Sequence, residues 1–164
     1  MPPSPQLRND LAMTKDAKGH LQSVLLWPVL WKKWDVSIRL KWRGKPFTRY
    51  SARHIPNSPG VYAFVIHPHV SPRLPCSVLM YIGKSDRPLR DRFREYLREQ
   101  NSSNGRPAIS TMLQMYDGHL SFYCATVTRP ATPSQIEESL IEALVPPMNK
   151  VLPASIGRIV AAFT

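Results

Sequence analysis

Two apolar runs near the middle of the chain predict neighbouring buried strands. Residues 61–66 and 78–82 contain only apolar or aromatic side chains, and short runs of this kind between loop residues are typical of covered strands. Loop residues 56–60 precede the first run, and Gly83 ends the second. The connection over residues 67–77 is longer than the usual hairpin loop of about 2–5 residues, and such loops often carry function.

The pattern that follows the second run indicates helices. In residues 88–99, Leu89, Phe93, Tyr96 and Leu97 fall on one helical face,. Residues 108–116 predict a second helix, residues 120–127 a strand, and residues 133–145 a last helix. Thr132 is suited to cap that helix, with Pro133 and Gln135 after it. The order strand, strand, helix, helix, strand, helix predicts an α+β fold.

The first 54 residues differ from this region. Residues 1–20 are rich in proline and lack an apolar period, which predicts a disordered or loosely held arm. Residues 21–54 hold all four tryptophans among many cations and are expected to pack on a core formed by residues 55–164. Val36, Ile38 and Leu40 alternate with polar residues, which predicts a half-exposed strand. Its outer face could follow a phosphate backbone, although tryptophans covering a sheet and solvated cations would give the same pattern.

Composition narrows the class of protein. The chain has 164 residues, 43% of them hydrophobic, which fits one globular domain,. Its longest apolar run, residues 24–31, is interrupted by Pro28 and is too short for a membrane span. This run also lacks a cleavage site, and two cysteines indicate no disulfide framework. We therefore expect a cytoplasmic protein without membrane attachment.

Charge points to a polyanionic partner. Lys and Arg total 22 against 11 Asp and Glu, giving a formal charge of +11 and a pI of about 10.1. Nucleic acid is the partner that such an imbalance favours. A merely basic protein, or one attracted to anionic lipid, would share the same charge.

The last predicted helix contains a carboxylate on its apolar face. Glu137 falls among Ile136, Leu140, Ile141 and Leu144 on the helical wheel, whereas Glu138 and Glu142 fall on the opposite side,. A carboxylate directed at a core must be paired, hydrogen-bonded or bound to a metal. A buried salt bridge to an arginine and coordination of a hard cation such as Mg²⁺ are both open from this pattern.

Polar side chains accompany the other core elements. Arg92 and Tyr96 are neighbours, i and i+4, at the rim of the first helix,, where an arginine can hold a phosphate by two hydrogen bonds. Tyr62 and Tyr81 lie in the two apolar runs. Basic residues outside this set are candidate contacts to a DNA backbone: Arg39, Lys41, Arg43, Lys45, Arg90 and Arg94,.

Taken in order, these residues resemble the motifs of the GIY-YIG nuclease family. The resemblance rests on residues 60–62, residues 81–84, residues 89–92, Glu137 with Leu140 and Ile141, and finally Pro146 and Asn149. It covers roughly residues 55–150. Each motif is weak alone, but their order and a Glu on the apolar face of the last helix make the set specific.

The resemblance implies a small antiparallel β-sheet flanked by helices and one divalent-metal site. Tyr62 and Tyr81 match the two motif tyrosines, Arg92 the helix arginine, and Glu137 the metal ligand. The remaining matches are Lys84, the basic residue after the second motif, with Gly60, Gly83, Tyr96 and Asn149 in supporting positions. Tyr96 stands where some members have histidine.

The implied activity is Mg²⁺-dependent hydrolysis of DNA phosphodiester bonds, with Mn²⁺ as a substitute. In this scheme a metal on Glu137 stabilises the leaving 3′ oxygen, Arg92 stabilises charge on the phosphate, and Tyr62 activates the water, helped by Tyr81 or Lys84. The compact chain is closest in organisation to restriction endonucleases of the family. It would cut double-stranded DNA as a monomer or homodimer.

Three alternatives remain open from the sequence. The chain could be a nucleic-acid-binding module with an inactive GIY-YIG site, or a structure-specific repair or recombination nuclease. A third possibility places zinc on His67, His69 and Cys76, with Cys124 as a further ligand. The spacing of these residues matches no standard zinc pattern.

Overall fold

The computed structural model describes residues 5–34, 39–69, 76–102, 105–128 and 131–160. Within these ranges the chain forms a four-stranded antiparallel sheet flanked by helices, an α+β arrangement. The strands are β1 (Arg43–Pro46), β2 (Gly60–Ile66), β3 (Val78–Ser85) and β4 (Leu120–Thr126). Their spatial order is β1-β4-β2-β3, so β2 and β4 are central. In the register of β2 and β3, Tyr62 lies opposite Gly83 and Phe64 opposite Tyr81.

Helices cover both faces of the sheet. They are α1 (Pro5–His20), α2 (Pro28–Trp31), α3 (Leu89–Gln100), α4 (Pro107–Met115), α5 (Pro133–Leu144) and α6 (Ala154–Val160), with a 3₁₀ helix over Arg49–His54. On one face α3 and α4 pack around Tyr62, Phe64 and Phe122. On the other face α5 packs its Ile136, Leu140 and Ile141 on the sheet. Burial of these two apolar faces is the main force that holds the layers together.

The start of α5 is fixed by its sequence. The Thr132 side chain accepts from the backbone N–H of Gln135, and the Gln135 side chain accepts from the backbone N–H of Thr132, a capping box,. Pro133 occupies the first turn, where its missing N–H leaves no partner unsatisfied. The helix ends at Val145, which has a left-handed φ of 42°, and Pro146 cannot continue it. The helix predicted from Pro133 to about Val145 is therefore confirmed.

The six elements of the central region occur in the predicted order. The two predicted buried strands correspond to β2 and β3, the two helices to α3 and α4, and the third strand to β4. Two details of the α5 prediction are wrong. Leu144 was expected on the apolar face but is 39% exposed, whereas Ala143 is buried, and Glu142 is partly buried where solvation was expected.

The N-terminal region contains elements that were not predicted. Residues 5–20, for which we predicted a disordered or loosely held arm, form α1; its residues 12–20 are exposed, and His20 makes an edge-to-face ring contact with Tyr116. Of the strand predicted from alternation around Leu40, Val36 and Ile38 lie outside the described residues, and Leu40 itself is not in a strand. The strand in this region is β1, which pairs with β4 and was not predicted.

Some of the tryptophan-rich segment contacts the core. Trp34 and Leu40 pack against the cluster beneath α5, and Leu30 is buried with Val145 and Ile156. Trp31 and Trp42 remain largely exposed. None of the helices within the described ranges is both long and apolar enough to cross a membrane.

Candidate active site

Tyr62 lies at the centre of the sheet with its hydroxyl inside the protein. It is 1% exposed, its ring stacks on Phe122, and its hydroxyl is 2.8 Å from the hydroxyl of Tyr96 on α3. Gly83 on the neighbouring strand makes this position possible. A Cβ at residue 83 would lie 2.5 Å from the Tyr62 ring and hydroxyl, so only glycine accommodates the tyrosine there.

Arg92 joins the two tyrosines into one network. Its Nε donates to the Tyr62 hydroxyl at 3.1 Å, and one terminal nitrogen donates to the Tyr96 hydroxyl at 3.3 Å. The other terminal nitrogen donates to Glu95 at 2.8 Å, and Arg87 contacts the second oxygen of that carboxylate. Burial tends to raise the pKa of Glu95, but the hydrogen bonds from Arg92 and Arg87 outweigh it and hold the pKa below its usual range,.

Tyr81 differs from Tyr62 in its access to solvent. It lies on the edge strand β3 and is partly exposed. Burial and the nearby Tyr96 raise the pKa of Tyr81 to about 12, and the Arg106 guanidinium opposes that rise. Burial, followed by the nearby Tyr96 and Tyr81, raises the pKa of Tyr62 much further. Neither tyrosine is ionised at neutral pH, and Tyr81 is the easier of the two to deprotonate.

Tyr81 and Glu137 line the same cavity. The cavity has a volume of about 530 Å³ and lies between the edge of the sheet, the first turn of α4 and the segment after α5. Tyr62 and Arg92 are not part of its lining. Polar side chains in the lining come from four parts of the chain: Tyr81, Arg106, Glu137, Asn149 and Lys150. The site predicted from sequence is therefore divided between an internal network and a cavity wall.

Glu137 is the one carboxylate among the described residues that line the cavity. Its side chain is half-buried, and within the described ranges it forms no salt bridge. Burial raises the pKa of Glu137, while the charge of Lys84 and a hydrogen bond from the Lys84 backbone oppose the rise. The buried salt bridge to an arginine, one of the two interpretations of this residue, is thus not present in the described structure.

Lys84 lies beside the carboxylate but is engaged elsewhere. Its ammonium donates to Asp86 at 2.8 Å and to Ser134 at 2.7 Å, and its side chain is 33% exposed. Lys84 therefore ties the end of β3 to the first turn of α5. This contact holds α5, and Glu137 on it, against the sheet.

Asn149 fastens the chain after α5 to the edge of β3. Its amide oxygen accepts from the backbone N–H of Ile82 at 2.9 Å, and its amide nitrogen donates to the Ile82 carbonyl at 2.8 Å. The backbone N–H of Met148 donates to the backbone carbonyl of Met80. Gly60, the other supporting residue, lies where a Cβ would meet the backbone oxygen of Ala125 at 2.2 Å. Both residues position the site rather than line it with reactive groups.

Arg106 belongs to the site and was missed by sequence reasoning. It precedes α4, and its guanidinium lies over the Tyr96 ring at 5.1 Å, while Arg92 lies over the same ring at 4.7 Å. Glu99 holds Arg106 through hydrogen bonds from Nε and a terminal nitrogen, both 3.2 Å. Arg106 follows a loop and carries no periodic signal; its place directly before a helix-starting proline was the one local clue.

The predicted DNA contacts have different surroundings. Arg39 and Lys41 precede β1 and Arg43 and Lys45 lie on it, all four exposed. Arg94 is exposed and 3.7 Å from Asp91. Arg90 instead donates to the backbone carbonyls of Ile55 and Arg53, at 3.0 and 3.4 Å. Its contacts brace the segment before β2, which leaves it fewer donors for a phosphate.

The residues considered for zinc do not form a metal site in the described structure. His67 lies 2.9 Å from Ser77 and 3.4 Å from the Tyr123 hydroxyl, with its ring 6.0 Å from that of His69. Cys76 is exposed and Cys124 is buried in the core. Among the residues described, no group of three or more His, Cys, Asp or Glu side chains is placed to hold a metal ion.

Comparison with models of known families, with curated proteins and with solved structures gives no match. A functional assignment therefore depends on the arrangement of these side chains and on the motif resemblance. The arrangement brings Tyr62, Tyr96 and Arg92 into one hydrogen-bonded network, and Tyr81 and Glu137 into one cavity.

Proposed function

We propose that the protein is a metal-dependent endonuclease that hydrolyses DNA phosphodiester bonds. The observation that carries the proposal is the cavity that Tyr81 and Glu137 line, with an arginine in its wall. A partly buried carboxylate that forms no salt bridge within the described ranges is costly unless it binds something,. The motif resemblance and the charge of +11 support the same activity and DNA as partner,.

The side chains present fit a magnesium ion. Mg²⁺ in phosphate chemistry is commonly held by one or two carboxylates, with water and substrate oxygens completing its shell, so Glu137 alone suffices as the protein ligand. When bound, the ion would supply charge stabilisation at the leaving 3′ oxygen. Mn²⁺, which prefers the same oxygen ligands, would be a substitute. The carboxylate must be ionised for this role, and the charge of Lys84 and the hydrogen bond from the Lys84 backbone favour the ionised form.

The arginines and tyrosines have distinct tasks in this proposal. Arg92 does not line the cavity, but its side chain is 24% exposed and uses three of its five N–H donors within the protein,. Two donors remain for a phosphate oxygen whose charge grows in the transition state. Tyr81, with its hydroxyl at the cavity, orients the attacking water. Tyr62 was the first choice for activating that water, but its hydroxyl is buried and bonded to Arg92 and Tyr96. It positions Arg92 instead.

DNA binding without cleavage is the second candidate. The exposed cations before and on β1 would serve a binding protein equally well,. A restriction-type activity on double-stranded DNA, by a monomer or homodimer, is the more specific form of the first candidate.

A cleavage assay separates the two candidates. Purified protein is incubated with supercoiled plasmid in Mg²⁺, in Mn²⁺ or in EDTA, beside Glu137→Gln and Glu138→Gln. Glu138 is the exposed neighbour of Glu137 on α5, so its variant removes the same charge outside the cavity. We expect cleavage by the wild type and Glu138→Gln with either metal, and none in EDTA or with Glu137→Gln. Binding of the plasmid without any cleavage would establish the second candidate.

A further inference from the structure

Arg106 is held rigidly at the wall of the cavity. Glu99 engages one edge of its guanidinium through two hydrogen bonds and also accepts from the Arg106 backbone N–H at 2.8 Å. The ring of Tyr96 supports the group from one side. An arginine clamped in this way loses little conformational freedom when it binds a ligand, which favours binding.

The guanidinium keeps donors for a ligand. Glu99 takes two of the five N–H groups of Arg106,, and the hydroxyls of Tyr96 and Tyr81 are also within hydrogen-bonding reach of the guanidinium. The Arg106 side chain is nevertheless 45% exposed, although that of Glu99 is only 13% exposed. Lys150, also exposed, lines the same cavity. The wall with Arg106 and Lys150 is thus cationic, whereas Glu137 supplies the carboxylate. A cationic wall with free N–H donors suits a phosphate oxygen.

We propose that Arg106, with Lys150, forms a phosphodiester-binding subsite in this cavity, adjoining Tyr81 and Glu137. The ligand is a backbone phosphate of a nucleic-acid strand. The subsite rests on the proposed function, since the strand it binds is the one to be cut. Two arginines that both lie over the Tyr96 ring would then contact phosphate groups: Arg92 from the protein network and Arg106 from the cavity wall.

Binding in the absence of metal tests the subsite apart from cleavage. Affinity for a fluorescein-labelled DNA duplex is measured by anisotropy in EDTA over a range of salt concentrations. The proteins are the wild type, Arg106→Gln, the double variant Glu99→Gln/Arg106→Gln, and Arg98→Gln. The double variant keeps the net charge of the wild type and leaves no Glu99 carboxylate without its cationic partner. Arg98 is an exposed arginine of α3 and controls for loss of one positive charge. Circular dichroism establishes that each variant is folded.

Loss of one phosphate contact lowers the magnitude of the slope of log affinity against log salt by about 0.9. We expect that change in both Arg106 variants and not in Arg98→Gln. Single-turnover cleavage in Mg²⁺ should be slower by about 100-fold in both. A folded double variant with the wild-type slope and wild-type rate would overturn the subsite. A wild-type protein that cuts no DNA would refute the proposed function, while the slopes in EDTA would still decide the subsite.

Discussion

Tyr62 and Tyr81 lie on adjacent strands, yet Tyr62 is buried and Tyr81 is partly exposed. The Tyr62 hydroxyl is enclosed by Arg92 and Tyr96, whereas Tyr81 lines the cavity with Glu137. The difference follows from their places in the sheet, since β2 is central and β3 is at the edge. In the proposed function the interior region positions Arg92, and the edge region contacts the ligand.

This comparison indicates how a small domain can hold a reactive site. Side chains that contact substrate must be fixed by neighbours that are themselves packed. Here the packed neighbours are Tyr62 and Tyr96, both with almost no exposed surface. Their hydroxyls fix Arg92, and the Tyr96 ring supports Arg106. The buried tyrosines therefore serve two arginines without contacting a substrate themselves.

Among substitutions of the arginines and tyrosines, Arg92→Ala should have the largest effect on cleavage. Arg92 is proposed to stabilise charge that develops on the phosphate, so the single-turnover rate should fall by about 1000-fold while DNA affinity falls by less than about 10-fold. Arg94→Ala, which removes an exposed arginine of the same helix, should weaken binding more than it slows a saturated reaction. Equal losses of rate and affinity in Arg92→Ala would assign Arg92 to binding alone.

Phe substitutions of the two tyrosines test the division directly. Tyr81→Phe should slow cleavage by about 100-fold, since misplacing a reacting group such as the attacking water can cost about 10²-fold, and should change stability less than Tyr62→Phe because Tyr81 is partly exposed. Tyr62→Phe should instead lower the free energy of unfolding by about 1–3 kcal/mol, because buried donors of Arg92 and Tyr96 lose a partner,. Rates are measured at saturating protein and stabilities by urea titration. The reverse pattern would contradict the division.

The smallest expected effect is that of Glu137→Gln on thermal stability, measured in EDTA. Burial raises the pKa of Glu137 in the folded state, so its ionised form destabilises the fold above that pKa. The penalty is absent below the unfolded value of about 4.3 and grows as pH rises through the interval to the folded pKa. The Gln variant should therefore melt slightly above the wild type at pH 7 and match it at pH 4. Glu138→Gln measures the effect of removing an exposed charge from α5.

A Glu137→Gln protein that melts well below the wild type would contradict this expectation. Loss of about 3–5 kcal/mol is typical when one partner of a buried ion pair is removed. Such a result would mean that Glu137 has a cationic partner in solution. If that variant still cut DNA, the proposed metal ligand would be excluded as well.

Periodicity predicted the central region well because local and tertiary preferences agree there. The apolar runs of β2 and β3 are buried, and the capping box of Thr132 and Gln135 begins α5 where the sequence indicates. The wheel placed Glu137 inside the apolar face, and its side chain is partly buried there. The prediction that Leu144 lies on the buried apolar face is wrong. Leu144 is the last residue of α5, and its side chain remains exposed where the helix ends.

The remainder depended on contacts that have no local signal. β1 is a strand because β4 pairs with it, although its sequence includes Gly44 and Pro46, both poor strand formers. Arg106 joins the site only when α3 and α4 bring it over Tyr96. Tyr62 is buried and Tyr81 lines the cavity because β2 is central in the sheet and β3 is at its edge. The residue type is the same at both positions, so it could not predict this difference.

The reciprocal amide bonds of Asn149 have a consequence for self-association. The outer edge of β3 would otherwise offer free N–H and C=O groups, which can recruit a strand from another molecule and begin aggregation. Asn149 and Met148 satisfy these groups at Ile82 and Met80. Because Asn149 also lines the cavity, the segment that completes the site blocks the open edge of the sheet. Substitutions that weaken the hydrogen bonds of Asn149 to β3 should allow a strand from another molecule to add at this edge, and should also loosen the wall of the cavity.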